Sequence, residues 1–195
     1  MISMRVEISG DQVLLVNATE KNINDYLDFI ISLSKDEDNY TLTRYSDINE
    51  NRIIEWSKSW GRQVLIILAY NNDKVTGIVQ LTKGRYFGLE RQFHVGEIAY
   101  AVDKRYRGKG LIYALFDYLL KVTDVKILTA WVDERNIKSQ KLLENLGFER
   151  LCKIDNFMYS VKEKIFVNLI FYSGERKVAK EKCEKYLEKF NIKVS

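Results

Sequence analysis

The chain has 195 residues, a formal charge of +4, one histidine, two cysteines and no proline. This inventory excludes multi-histidine metal centres, cysteine-based zinc clusters, and polyproline or cis-proline devices. At 46% hydrophobic and 30% charged residues, the composition is that of one globular domain, and so mild a positive surplus does not point to nucleic acid.

Residues 1–7 lack the basic, apolar, small-residue order of a secretory signal. The longest apolar run, residues 64–70, is strand-sized and too short to span a bilayer. The expected location is therefore the cytoplasm, with no membrane partner, and Cys152 and Cys183 are expected as buried or half-buried free thiols. A first strand is predicted over residues 12–17. Thr19 then caps a helix over 21–33, whose Ile23, Tyr26, Leu27, Ile30 and Ile31 share a face. Residues 34–51 read as a polar loop with a helical turn, carrying the acidic run Asp36, Glu37 and Asp38. A second helix over 51–60 stops at Gly61.

Strands over 64–70 and 74–81 flank Asn71, Asn72 and Asp73, a hairpin signal. The segment 83–92 leads into a strand over 94–102, a basic turn over 103–109 and an apolar helix over 110–122. A buried strand is predicted over 127–132 and a helix over 136–146, stopped by Gly147. Further strands fall at 148–154 and 164–172. From Glu175 the composition becomes dense in Lys and Glu, with Ala179, Cys183, Tyr186, Leu187 and Phe190 on one helical stripe. The expected organisation is a domain over 1–174 and an amphipathic helix over 175–195. That helix docks on its own domain, covers the cleft, or makes a homodimer contact. The alternation of strands and helices predicts a mixed α/β sheet with helices on its faces.

The most informative segment is Val102-Asp103-Lys104-Arg105-Tyr106-Arg107-Gly108-Lys109-Gly110-Leu111-Ile112. A strand enters a basic, glycine-containing turn and an apolar helix starts at once. Such a turn aims backbone N–H groups and the positive end of a helix dipole at a phosphate. Gly108 and Gly110 allow close approach without a Cβ, while Arg105, Arg107 and Lys109 add charge.

The run Tyr106-Arg107-Gly108-Lys109-Gly110 resembles the acetyl-CoA pyrophosphate loop of the GNAT superfamily of N-acetyltransferases. A second match lies in residues 136–148, similar to that family's Asn-x-x-Ala/Ser…Gly-Phe helix. The resemblance spans about residues 64–172. It implies an α+β fold with a mixed, mostly antiparallel sheet containing two splayed parallel strands and flanked by helices. It also implies acetyl-CoA as cosubstrate, no metal, and an amine acceptor that is a protein N-terminus, a peptide or a small molecule. The implied cofactor contacts are Ala101, Val102, Arg105, Arg107, Gly108, Lys109, Gly110, Leu111, Ile112, Asn136 and Ser139. Two positions depart from the family pattern. Ile112 replaces a small residue, and Leu143 stands where many relatives carry a tyrosine that protonates the departing thiolate.

The mechanism implied is direct attack by the amine, with Glu97 as base and His94 as alternative. Glu97 is equally readable as a salt-bridged strand carboxylate, and regular alternation puts His94 and Glu97 on opposite faces. Ser139 and Tyr159 are the candidate acids. Asn136 reads as a cofactor anchor or a helix cap. Lys141 reads as a phosphate neighbour or a solvated lysine. Trp56, Trp60, Tyr86, Phe87 and Phe93 flank the expected acceptor side and read chiefly as core, or as the lining of a pocket for an apolar or peptide N-terminal group. The competing class is a non-catalytic acyl-CoA-binding regulatory domain.

Overall fold

The computed structural model of the protein describes residues 3–33, 35, 40, 50–161 and 163–194. The acidic run Asp36, Glu37 and Asp38 lies outside the described residues, as does most of the predicted 34–51 loop.

The chain opens with a hairpin of β1 (Ser3–Ile8) and β2 (Asp11–Asn17), in which Val6, Ile8, Val13 and Leu15 alternate into the core. Its two-residue turn, Ser9 and Gly10, has positive φ at both positions, the twist that suits a tight hairpin. Strand β1 had no counterpart among the predicted elements; its signal is Ser-Gly between two alternating runs. Helix α1 (Ile23–Leu33) begins where the Thr19 N–H donates to Asn22 Oδ1 at 3.0 Å. It buries Phe29 and leaves Ile31 44% exposed, so the apolar face is rotated from the predicted one. Helix α2 (Glu50–Ser57) delivers Trp56, which packs with Trp60 and Tyr26 at ring separations of 5.4 to 5.6 Å.

The hairpin of β3 (Val64–Asn71) and β4 (Lys74–Lys83) turns through Asn72 and Asp73, both at positive φ. A short helix α3 (Leu89–Gln92) precedes β5 (Val95–Val102). Then come α4 (Leu111–Val122), β6 (Ile127–Asp133), α5 (Ile137–Asn145), β7 (Glu149–Ser160), β8 (Ile165–Glu175), α6 (Arg176–Lys189) and β9 (Lys193–Val194). Strand β7 extends past its predicted end at 154. Its pairing with β8 resumes after two irregularities, and Asn156, at φ +53, donates its N–H to Asn168 Oδ1 at 2.8 Å. The irregularity between Ile154 and Met158 is a bulge that lets the strand run on.

Among the described residues, nine strands form one sheet in the order β7-β8-β6-β5-β4-β3-β2-β1-β9, antiparallel except for β5 and β6. One face packs on α4 and α6 through Leu111, Leu115, Phe116, Leu119, Ala179, Cys183 and Leu187. The other packs on α1 and α2 through Tyr26, Ile30, Ile66, Leu68 and Ile78. Helix α6 lies on α4, with Tyr186 stacked on Tyr113 at 4.4 Å, and β9 pairs with β1. Cys183 is buried in that contact, whereas Cys152, expected at least half-buried, is exposed on β7. No described helix is long and apolar enough to cross a membrane.

Candidate active site

Strands β5 and β6 pair only at Val95–Ile127, Gly96–Leu128 and Glu97–Thr129. Beyond that point β5 follows β4 to Val102, and β6 follows β8 to Asp133. The two parallel strands therefore part immediately after Glu97. The Asp103 N–H donates to Thr76 O at 2.9 Å, which phases the β4–β5 ladder. Residues 99 and 101 spend their backbone groups on β4, and residues 98, 100 and 102 turn theirs toward the gap. Of the two residues expected there, Val102 aims its backbone into the gap, while the backbone of Ala101 is turned to β4. The Val102 carbonyl accepts from Arg107 Nε at 2.9 Å. The gap widens into a cleft of about 690 Å³.

The turn between β5 and α4 closes one end of this cleft. Asp103 accepts from the Arg105 N–H at 2.8 Å and from its Nε at 3.0 Å, so the Arg105 guanidinium folds onto the turn. Tyr106 is buried and donates its hydroxyl to Asp11 Oδ2 at 2.9 Å, tying the turn to the β1–β2 hairpin. Gly108 has φ +73, and a Cβ there would meet no atom within 4 Å. Gly110 has φ +90 and caps α4. Arg107, Gly108, Gly110 and Ile112 line the cleft. Three expected contacts are not among its lining side chains. Arg105 pairs with Asp103, the Lys109 ammonium sits over the Tyr106 ring at 5.6 Å, and the Leu111 side chain is fully buried in the core. An open glycine, Gly108, and a left-handed one, Gly110, beside an arginine at a helix start suit a pyrophosphate.

Glu97 sits at the point of divergence, facing the α1 side together with Trp131. The Tyr86 hydroxyl donates to Glu97 Oε2, Trp131 Nε1 donates to the Tyr86 oxygen at 2.8 Å, and Arg85 Nε lies 3.5 Å from Oε1. Burial and the bond to Glu97 push the Tyr86 phenol up to about 12, so it stays a neutral donor around pH 7. His94 is not brought to the cleft. Its ring lies against Phe93 at 5.3 Å, and its carbonyl receives the N–H groups of Lys126 and Ile127. Tyr159, expected in a loop, is on β7 with its ring against Phe166 and is likewise absent from the cleft.

Asn136 Oδ1 accepts the Ser139 N–H at 3.1 Å, capping α5, and both residues line the cleft. The Ser139 hydroxyl is hydrogen-bonded to the Tyr100 hydroxyl, and burial raises the pKa of that phenol. Lys141 also lines the cleft. Leu143 is fully buried, in the core rather than on the cleft wall. Among the aromatics expected as core, Trp56 and Trp60 pack on α1, but Tyr86, Phe87 and Phe93 are 43%, 70% and 60% exposed. Sequence reasoning missed Trp131, Tyr100, Phe190 and the role of Tyr86. Strand parity gave no signal for Tyr100, which lies on the face of β5 opposite Glu97. The others depend on which strands become neighbours.

The family model described as the acetyltransferase (GNAT) family matches residues 28–148. No curated protein gives a significant match by sequence. Among solved structures, the fold is shared with a GNAT-family acetyltransferase from Streptococcus pneumoniae (19% identity, TM-score 0.70, 84% of this chain and 98% of that one). It is also shared with the ribosomal-protein-alanine N-acetyltransferase from Brucella melitensis (21% identity, TM-score 0.66, 83% and 98%). A third is yncA from Salmonella typhimurium, described as a putative acetyltransferase with its cofactor acetyl-CoA (15% identity, TM-score 0.69, 84% and 94%).

Proposed function

Because the chain belongs to the acetyltransferase (GNAT) family, we propose that it moves an acetyl group from acetyl-CoA directly to a primary amine, on a protein N-terminus, a peptide or a small molecule. The observation that carries this reading is the position of Glu97. Its carboxylate stands at the root of the cleft whose other end carries Arg107, Gly108 and Gly110.

Acetyl-CoA supplies the acetyl group as a thioester, a form reactive toward a neutral amine. Arg107, the Gly108–Gly110 backbone and the first N–H groups of α4 hold its anionic arm. The Val102 N–H, turned to the gap beside the phosphate turn, would donate to the pantetheine arm, and the Tyr100 N–H, nearer Glu97, to the thioester carbonyl. Glu97 takes the proton that an incoming ammonium must lose, and its negative charge draws the ammonium in. Tyr86 and Arg85 fix that carboxylate in one orientation. The Ser139 hydroxyl, paired with Tyr100, returns a proton to the departing sulfur, a role that Leu143 cannot fill. Neither cysteine lines the cleft, which supports direct transfer without an acyl-enzyme. The ribosomal-protein acetyltransferase among the structural neighbours favours peptides with free N-termini as the first acceptors to try. Location in the cytoplasm and action without nucleic acid or metal complete the reading.

The test is CoA-thiol release with Glu97→Gln. Loss of a positioned base is expected to lower kcat at pH 7 by about 100-fold, while the acetyl-CoA KM stays close to that of the parent. Full activity in this variant would remove Glu97 from the mechanism.

A further inference from the structure

The C-terminal tail lies beyond residues 28–148, the span matched by the family model, yet it reaches the cofactor turn. Gly110 is not open on every side. A Cβ built there would stand 2.7 Å from Ile192 Cδ1 and 2.8 Å from Phe190 Cγ. The turn that leads into α4 is therefore seated on the tail at the residue where its backbone is left-handed. Phe190 also lines the cleft itself, along with Gly108, Gly110, Ile112 and Tyr113.

The tail is held in that place from both ends. Upstream, Ala179, Cys183 and Leu187 are buried, Tyr186 stacks on Tyr113, and the Phe190 ring lies 5.6 Å from the Tyr113 ring. At the helix end the Phe190 N–H donates to Tyr186 O at 3.0 Å and the Ile192 N–H to Leu187 O at 2.9 Å, with Asn191 at φ +52. This reversal tucks Phe190 and Ile192 back against the helix instead of letting them run on. Downstream, β9 pairs with Val6 and Glu7 of β1, and Lys193 Nζ lies 3.8 Å from Glu7. The opposite side of the turn is tied to the same hairpin by the Tyr106–Asp11 bond. The phosphate-facing backbone is thus clamped between two anchors, one of them supplied by the last residues of the chain.

We infer that Phe190, backed by Ile192, is a positioning residue of the cofactor site, holding the Gly108–Gly110 backbone in its ligand-ready shape and walling the cleft beside it. This inference rests on the acetyl-CoA reading above. A preorganised turn binds without first being ordered, so loosening it weakens cofactor affinity. Acceptor binding at the Glu97 end is left alone.

The experiment is calorimetric titration of the full chain and of Phe190→Ala with CoA, with acetyl-CoA and acceptor KM values measured alongside. Phe190→Ala is expected to raise the CoA Kd by about tenfold and the acetyl-CoA KM with it, leaving the acceptor KM unchanged. Phe190→Leu keeps apolar bulk and should recover most of that loss, to within about threefold of the parent. Affinities of Phe190→Ala and parent within experimental error would overturn the inference while leaving the cofactor reading intact. A rise in both KM values together would also overturn it, as a general loss of structure. If Phe190→Ala does not fold, Ile192→Ala takes its place, with the same split between the two KM values expected and the same two results counting against it. A parent chain that does not bind CoA would remove the cofactor reading and this inference with it.

Discussion

Glu97 gains its chemical identity from three neighbouring residues that arrive by two different routes. Arg85 and Tyr86 come from the segment after β4, and Trp131 comes from β6. Tyr86→Phe keeps the ring and deletes one donor to the carboxylate. That bond holds the carboxylate in one orientation, so its removal should lower kcat/KM by about tenfold across the profile. The alkaline limb should stay in place up to about pH 10, because the native phenol titrates near 12. A pH–rate profile of the two proteins checks both statements. At the other end of the cleft, Gly108→Asn and Gly108→Asp form a matched pair. Both side chains tolerate positive φ, and the space around the position is open, so the difference between them isolates charge. The Asp variant should bind CoA about tenfold more weakly than the Asn variant at low salt. Gly110 is the poorer test, since any side chain there also strikes Phe190 and Ile192. The glycine turn was legible from residues because its signal is local, a strand, a basic turn and a helix start within eleven positions. The partners of Glu97 were not, since Tyr86 and Trp131 meet it only through sheet register.

Helix α5 shows how one element carries both stability and chemistry. Asn136 caps it through the Ser139 N–H, and Gly147, at φ +83, ends it. Asn136→Ala should lower stability by about 1 kcal/mol, read from urea denaturation, and should reduce turnover by releasing Ser139 from its set orientation. Unchanged stability would mean that the cap is not what starts this helix. Most elements here were legible because turn chemistry and periodicity agree, as in the Asn72–Asp73 hairpin between β3 and β4. Two were not. Strand β1 is half polar and depends on β2 and β9 for its partners. Strand β7 has mostly exposed side chains, so no apolar alternation marks its second half, and only the pairing with β8 carries it to Ser160.

At the scale of the molecule, the sheet divides labour between its faces. The α1 side carries Glu97 and its partners, the α4 side carries the core that fixes the phosphate-binding turn, and α6 with β9 locks that turn from outside. Burial against α4 pushes the Cys183 thiol up, while Cys152 is exposed on the edge strand. A thiol reagent at neutral pH should therefore modify Cys152 in the native protein and Cys183 only after unfolding, as located by mass spectrometry of the digested chain. Equal labelling of both residues would mean that α6 is not docked as described. The mostly antiparallel sheet with one splayed parallel pair was expected from the family resemblance. The clamp on the turn was invisible in the sequence, because nothing in the stripe of α6 says which helix it meets. Amine acetylation in this cleft is read most directly from CoA-thiol release with mass analysis of the acceptor. The panel should span amino acids, polyamines, aminoglycosides and peptides with free N-termini. Acetylated product is expected for at least one amine, with much slower thiol release from Glu97→Gln. Tight CoA binding with no thiol release across the whole panel would contradict that expectation and leave a binding domain instead of an enzyme.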